Sequence, residues 1–271
     1  QEFPGVQLVG EEASTDLDTE DGIRVLSQVV SYVSRFSQEA TASEVKSWID
    51  RGSSDSGKYF WTLDPVDGTK GFLRGEQYAV ALALVVDGVV QIGVLGCPNL
   101  GLEKNGHRSQ NGMLLAATRG KGTWMTESIT GEDFTQVHVD PCDDPSKARI
   151  LRSYESGHTN VSQIDEFVTA LQVQTEPISL DSQAKYGLLA TGQGEFMVRF
   201  LSSQQPDYRE KIWDQAAGSI IVEEAGGKVT DLDGKSLDFT TGRKLLNNRG
   251  VIASNGILHP VALKALAQIK A

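Results

Sequence analysis

The tightest constraint on how this chain folds is a pair of apolar runs, Tyr78 to Val86 and Val89 to Leu95, separated only by Asp87-Gly88. Aliphatic and β-branched residues flanking an Asp-Gly dipeptide specify a hairpin, because the glycine accepts the positive φ that a two-residue turn demands. An isolated hairpin is barely stable in water, so other elements must cover it. Candidates stand on both sides: Tyr59 to Leu63 reads as an apolar strand ending at Asp64, and Met113 to Met125 as a second hairpin.

The flanking elements follow from caps and breakers. Val6 to Val9 reads as a short strand running into Gly10-Glu11-Glu12, and Asp21 to Phe36 as an amphipathic helix. Thr41-Ala42-Ser43-Glu44 is a capping-box pattern opening a second helix that stops at Arg51-Gly52. A polar, proline-containing stretch from Asp140 to Lys147 marks a boundary, giving an N-terminal α+β part, 1–143, and a C-terminal α/β part, 144–271. In the second part helices are expected over Ser182 to Ala190 and Asp214 to Ala225, the latter closed by Gly226. Strands are expected at Phe196 to Phe200 and Val251 to Ser254, and Pro260 opens the last helix. Asp231-Leu232-Asp233-Gly234 reads as a tight turn, since the rest of a calcium loop is missing.

Composition narrows the function. With 271 residues the chain is long enough for a substantial core, and its net charge of −11 argues against a nucleic-acid surface, which draws on clustered Lys and Arg. No run approaches the roughly 18 apolar residues of a membrane span, and the start, Gln1-Glu2-Phe3-Pro4, lacks a basic-then-apolar leader pattern, so a cytoplasmic monomer is expected. Cys97 and Cys142 lie far apart without ligand spacing and read as reduced thiols. An acidic protein that handles phosphate must supply positive charge locally, from metal and a few placed cations.

Such chemistry is written into Asp64-Pro65-Val66-Asp67-Gly68-Thr69. Two carboxylates three apart can turn toward one cluster of hard cations, for which Mg²⁺ uses oxygen ligands. Gly68 lets main-chain N–H groups approach a phosphate oxygen, and Thr69 offers a hydroxyl where a water would be activated. An isolated Asp-x-x-Asp-Gly is usually a solvated turn, so its weight depends on its partners.

Those partners are Gly10-Glu11-Glu12, Ser182-Gln183-Ala184-Lys185-Tyr186-Gly187 and Tyr208-Arg209-Glu210-Lys211-Ile212-Trp213-Asp214. With the Asp64 to Thr69 run they resemble the lithium-sensitive inositol-monophosphatase-like superfamily. The longer strings, Asp64 to Tyr78 and Tyr208 to Asp214, resemble its 3′(2′),5′-bisphosphate nucleotidase branch. The resemblance implies a layered αβαβα fold of the sugar-phosphatase type, with the active site between the two parts. It implies Mg²⁺ held by Glu11, Asp64, Asp67, Asp214 and the Val66 carbonyl, and Thr69 as half of the pair that activates water. It implies nucleotide contacts from Gly68, Thr69, His158, Ser182, Lys185, Arg199 and Asp214. The reaction implied is removal of the 3′-phosphate of adenosine 3′,5′-bisphosphate by direct attack of water, with the sulfated nucleotide PAPS as a second substrate and lithium or sodium as inhibitors. A second, uncleaved phosphate needs cations of its own, which Lys185 and Arg199 provide.

One departure stands out. Family members pair the threonine with an aspartate well upstream of Gly-Glu-Glu, and only ten residues precede Glu11 here. The expectation is that these 271 residues alone turn over little substrate. Two rival readings remain: an inositol mono- or polyphosphate phosphatase on the same fold, and a non-catalytic nucleotide or metal sensor. Arg209 and Lys211 are expected to tune Asp214 or pair with Glu210, and Asp214 to serve as a helix N-cap as well. Trp48 and Trp124 are expected to be packing residues, and His107, His138 and His259 structural or surface groups.

Overall fold

The fold comes from a computed structural model that describes residues 5–38, 40–101, 103–104, 107–108, 112–127, 131–154, 161–202 and 205–269. The first half opens with β1 (Gln7–Gly10), α1 (Glu20–Val33) and α2 (Ala42–Asp50). Both helices start as the polar residues ahead of them dictate: the Thr19 hydroxyl accepts from the Gly22 N–H, and the Thr41 hydroxyl from the Glu44 N–H. Then come β2 (Tyr59–Asp67), the short α3 (Thr69–Leu73), β3 (Ala79–Val86) and β4 (Val89–Cys97). The Asp87-Gly88 hairpin forms, with both residues at positive φ. A two-residue ladder, β5 (Glu103–Lys104) with β6 (His107–Arg108), precedes β7 (Met113–Thr118), β8 (Thr123–Thr126) and β9 (Thr135–Val137).

Seven of these strands make one sheet in the order β1-β2-β3-β4-β7-β8-β9, antiparallel except for the β1–β2 pair. Alternation along β3 sets Ala79, Ala81, Ala83 and Val85 into the core.

The second half contributes β10 (Ile150–Arg152), α4 (Val161–Leu171), β11 (Ile178–Ser179), α5 (Ala184–Ala190) and β12 (Phe196–Arg199). After these follow α6 (Ala216–Glu224), β13 (Lys228–Thr230), β14 (Val251–Ser254) and α7 (His259–Gln268). Their five-stranded sheet runs β11-β10-β12-β14-β13 and is mixed. Helical crossovers make β10, β11 and β12 parallel, whereas β14 returns from β13 without a crossing helix and pairs antiparallel with both β12 and β13.

Helices α5 and α6 lie between the two sheets. Helix α6 packs on β3, β4, β7 and β8 on one side and on β13 and β14 on the other, and both helices are apolar nearly all round, as a central layer must be. Two close approaches make this possible: a Cβ on Gly93 of β4 would meet Ile220 of α6 at 2.3 Å, and one on Gly218 of α6 would meet the Tyr186 ring of α5 at 2.1 Å. On the outer face of the second sheet α4 packs against α7, with Phe167 in edge-on contact with Phe196 and Phe200. Helices α1 and α2 share an apolar groove with Leu8 and Leu63 of β1 and β2, lined by Val29, Val33, Val45 and Trp48. The layers therefore run αβαβα. Trp124 departs from its expected packing role: it is 41 % exposed and donates its indole N–H to the Lys121 carbonyl. Cys97 and Cys142 are free thiols, and burial pushes Cys97 up to about 12, so it stays protonated. No helix among the described residues is long and apolar enough to cross a membrane.

Candidate active site

Where β2 leaves the sheet its pairing with β3 slips: Asp64 pairs with Ala81, but Asp67 with Ala79, so three steps on one strand answer two on the other. In a regular strand residues three apart face opposite ways, and this bulge cancels the alternation. Asp64 and Asp67 thereby converge, joined by Asp214, and one carboxylate oxygen from each lies within 4.8 Å of the others. Asp64 is 1 % exposed, and its side chain accepts the Val66 N–H at 3.0 Å, while Asp67 accepts the main-chain N–H of Gln183.

The chain then turns at Gly68. Its φ of 85° is a left-handed conformation that L side chains resist, and a Cβ there would meet the Ser182 Cβ at 2.7 Å. Ser182, itself at φ 66°, precedes α5 and accepts the Ala184 N–H on its hydroxyl at 3.1 Å. Thr69 opens α3, and its hydroxyl donates to the Val66 carbonyl at 3.2 Å. Asp214 is not an N-cap: α6 begins at Ala216, and Asp214 sits in the preceding turn, its N–H donating to the Lys211 carbonyl at 3.2 Å.

These groups line one cavity of about 610 Å³, which brings together Glu11, Asp64, Val66, Asp67, Gly68, Thr69, Ser182, Lys185, Arg199 and Asp214. Glu11 lies beside the acidic trio and is hydrogen-bonded to Asp64, but the trio itself is Asp64, Asp67 and Asp214. His158 lies outside the described residues.

Crowding acids out of water has a cost that shows in their protonation. Burial, then the charges of Asp67 and Glu11, pushes Asp64 up to about 10. Burial likewise pushes Asp214 to about 8 against the pull of Arg199, and raises Asp67 and Glu11. Oxygen-only donors so close together suit a hard divalent cation, which would relieve the repulsion. The donor set therefore fits a hard divalent cation, with Glu11 and Val66 in the lining of the same cavity.

The cations are built in as deliberately. Lys185 is 4 % exposed, its ammonium donates to the Leu180 carbonyl at 3.2 Å, and burial, then the charge of Arg199, lowers it to about 8. Arg199 meets Glu210 at 3.1 Å. Glu210 accepts from Gln215 at 2.8 Å, and Gln215 accepts the Tyr186 hydroxyl. Glu210 thus pairs with Arg199, while Lys211 lies over the Trp213 ring at 5.5 Å and Arg209 donates to the Tyr208 carbonyl.

Sequence reasoning passed over Gln183, whose buried amide donates to the Trp213 carbonyl at 2.9 Å and accepts the Gly218 N–H at 3.1 Å. It ties the Asp67 side of the cleft to the Asp214 side, and its place between Ser182 and Lys185 was the available signal. Arg243, which also lines the cavity, had no local signal at all.

The pattern of the inositol monophosphatase family matches residues 1–271. The chain belongs to the inositol monophosphatase family. Its relatives within that family include the 3′(2′),5′-bisphosphate nucleotidase of Oryza sativa, 43 % identical over 96 % of this chain and 75 % of the relative. That of Dictyostelium discoideum is 38 % identical over 96 % and 76 %, and the 3′,5′-bisphosphate nucleotidase 2 of Arabidopsis thaliana is 39 % identical over 97 % and 79 %. Among solved members of the family, the Thermotoga maritima IMPase superposes with a TM-score of 0.59 at 23 % identity, covering 92 % of this chain and 82 % of that one. An inositol monophosphatase from Anabaena does so with 0.59 at 20 % identity, covering 90 % of each. The inositol monophosphatase fold is thereby shown for this chain, with its layered α/β architecture.

Proposed function

We propose that the cleft removes the 3′-phosphate of adenosine 3′,5′-bisphosphate with Mg²⁺ as cofactor, giving AMP and phosphate, and acts in the same way on the sulfated nucleotide PAPS. One observation carries this reading: the acidic trio, the buried Lys185 and the half-buried Arg199 share a single cavity. A monoester with one phosphate needs only the acidic end. A bisphosphate also needs cations for the group that stays, and burial makes those cations strong partners. The sequence relatives, nucleotidases by name, point the same way.

Asp64, Asp67 and Asp214, with Glu11 and the Val66 carbonyl, would hold the cation. Bound there, Mg²⁺ supplies charge neutralisation at the phosphate and acidifies a water. The protein's own residues do the positioning. Gly68 admits the phosphate to main-chain N–H groups, Thr69 holds its hydroxyl toward the reacting end, and Lys185 and Arg199 anchor the second phosphate. Ser182 and, by the family resemblance alone, His158 would add contacts to the nucleotide.

The test is binding together with phosphate release in the presence of Mg²⁺, comparing adenosine 3′,5′-bisphosphate with inositol 1-phosphate. The bisphosphate is expected to bind at least about tenfold tighter, a difference of about 1.4 kcal/mol. Equal affinity, or preference for the inositol ester, would replace this reading with an inositol phosphatase. Tight nucleotide binding by the complete protein without hydrolysis would make it a sensor.

A further inference from the structure

We propose that Arg243 is a positioning residue that holds the Glu11 and Asp214 segments at a fixed separation and so sets the divalent-cation site. Arg243 belongs to a loop zipped along the Asp214 side of the cleft. The Ile212 N–H donates to the Arg243 carbonyl at 3.2 Å, the Leu245 N–H to the Glu210 carbonyl at 2.9 Å, and Lys211 bridges Lys244 in antiparallel register. Its side chain leaves that strip and crosses to the other side. One guanidinium nitrogen donates to the Gly52 carbonyl at 3.1 Å and the other to the carbonyl of Gly10, the residue before Glu11.

Gly10 is tied down from two further directions. Its N–H donates to the Gly52 carbonyl at 2.7 Å, and the next N–H, that of Glu11, donates to the Leu63 carbonyl at 3.2 Å. Arg243 completes this arrangement, and it is the member that reaches across the cleft. Its guanidinium carbon lies over the ring of Trp213, the neighbour of Asp214, 4.8 Å from the centroid, so one group grips both segments at once. Each terminal nitrogen donates to a main-chain carbonyl, and these two bonds give Arg243 its positioning role in the cavity it also lines. The Trp213 indole N–H is buried without a hydrogen-bond partner among the described residues, so apolar packing in the core and the cations of Lys211 and Arg243 over the ring hold it. Lysine offers neither the fork nor the flat face.

The inference rests on the cation reading given under Proposed function, and calorimetric titration with Mg²⁺ alone separates the two. Wild type, Arg243→Met and Arg243→Lys are compared, with hydrogen exchange at the Glu11 amide as a second readout. Losing a residue that orients metal ligands weakens metal affinity by about 10- to 100-fold. Arg243→Met is therefore expected to bind Mg²⁺ at least about tenfold more weakly and to exchange the Glu11 amide faster, with Arg243→Lys between it and wild type. Wild-type affinity in Arg243→Met overturns the role of Arg243 and leaves the cation site standing. A wild-type protein that binds no Mg²⁺ overturns both. If Arg243→Met does not fold, Arg243→Lys decides: weaker binding supports the role, and unchanged affinity overturns it.

Discussion

Asp64 and Asp67 owe their convergence to a single slipped pairing with β3, and the turn that follows owes its shape to a residue with no side chain. Gly68→Ala would combine a positive φ with a clash against Ser182, and is expected to lower stability by about 2 kcal/mol in urea unfolding and to weaken nucleotide binding. Lys185→Met, which keeps the length and removes the charge, is expected to weaken adenosine 3′,5′-bisphosphate and AMP, which share the 5′-phosphate, by about tenfold or more while leaving inositol 1-phosphate nearly unaffected, measured by competition binding. The carboxylates and cations were legible because their types and spacing in short motifs carry chemistry directly. Gln183 was half-visible, lying inside such a motif, and Arg243 was invisible, because its contacts with Gly10 and Gly52 join positions far apart in the chain. Spacing also misjudged Asp214, since a helix start two residues early looks the same in sequence as a turn followed by a helix.

The elements that were easiest to foresee are those whose causes are local. The Asp87-Gly88 hairpin and the Thr41 cap rest on residues a few positions apart, and both form as their chemistry requires. Helix α3 was not foreseen: five residues give no periodicity to detect, and it exists because Gly68 turns the chain beneath the site. The antiparallel β14 was equally hidden, since strand direction is decided by the connection and not by strand composition. At the junction of β13, β14 and α7, the His259 ring bridges the Thr230 hydroxyl at 3.0 Å and the Ser254 hydroxyl at 2.8 Å. Burial, then the charge of Lys228, lowers this histidine to about 4. The neutral ring is favoured in the fold, so its contribution is complete above about pH 6.5 and is lost as the pH falls toward 4, where the unfolded chain takes up a proton the fold refuses. The urea midpoint is expected to drop between pH 7 and pH 5, and less so in His259→Asn. In the central layer, Ile220→Ala is expected to cost about 3 kcal/mol, because α6 sits against Gly93 and has little room to settle.

Across the whole molecule the site belongs to no single element. Its acids come from the end of β2 and from the turn before α6, its cations from α5 and β12, and the layer of α5 and α6 packed between two sheets fixes their relation. Family and layering were legible as a whole because four short motifs in order identify both together, whereas the mixed second sheet and the clamp between distant loops emerge only on folding. Added Mg²⁺ is expected to raise the thermal midpoint in proportion to its binding, and Asp64→Asn and Asp214→Asn are each expected to abolish that rise. The most direct test is calorimetric titration of adenosine 3′,5′-bisphosphate with Mg²⁺ present, set against inositol 1-phosphate and repeated after chelation. Tighter binding of the bisphosphate by at least about tenfold, lost when the metal is removed, is the predicted result. Equal binding of the two esters, or nucleotide binding indifferent to metal, would contradict the account.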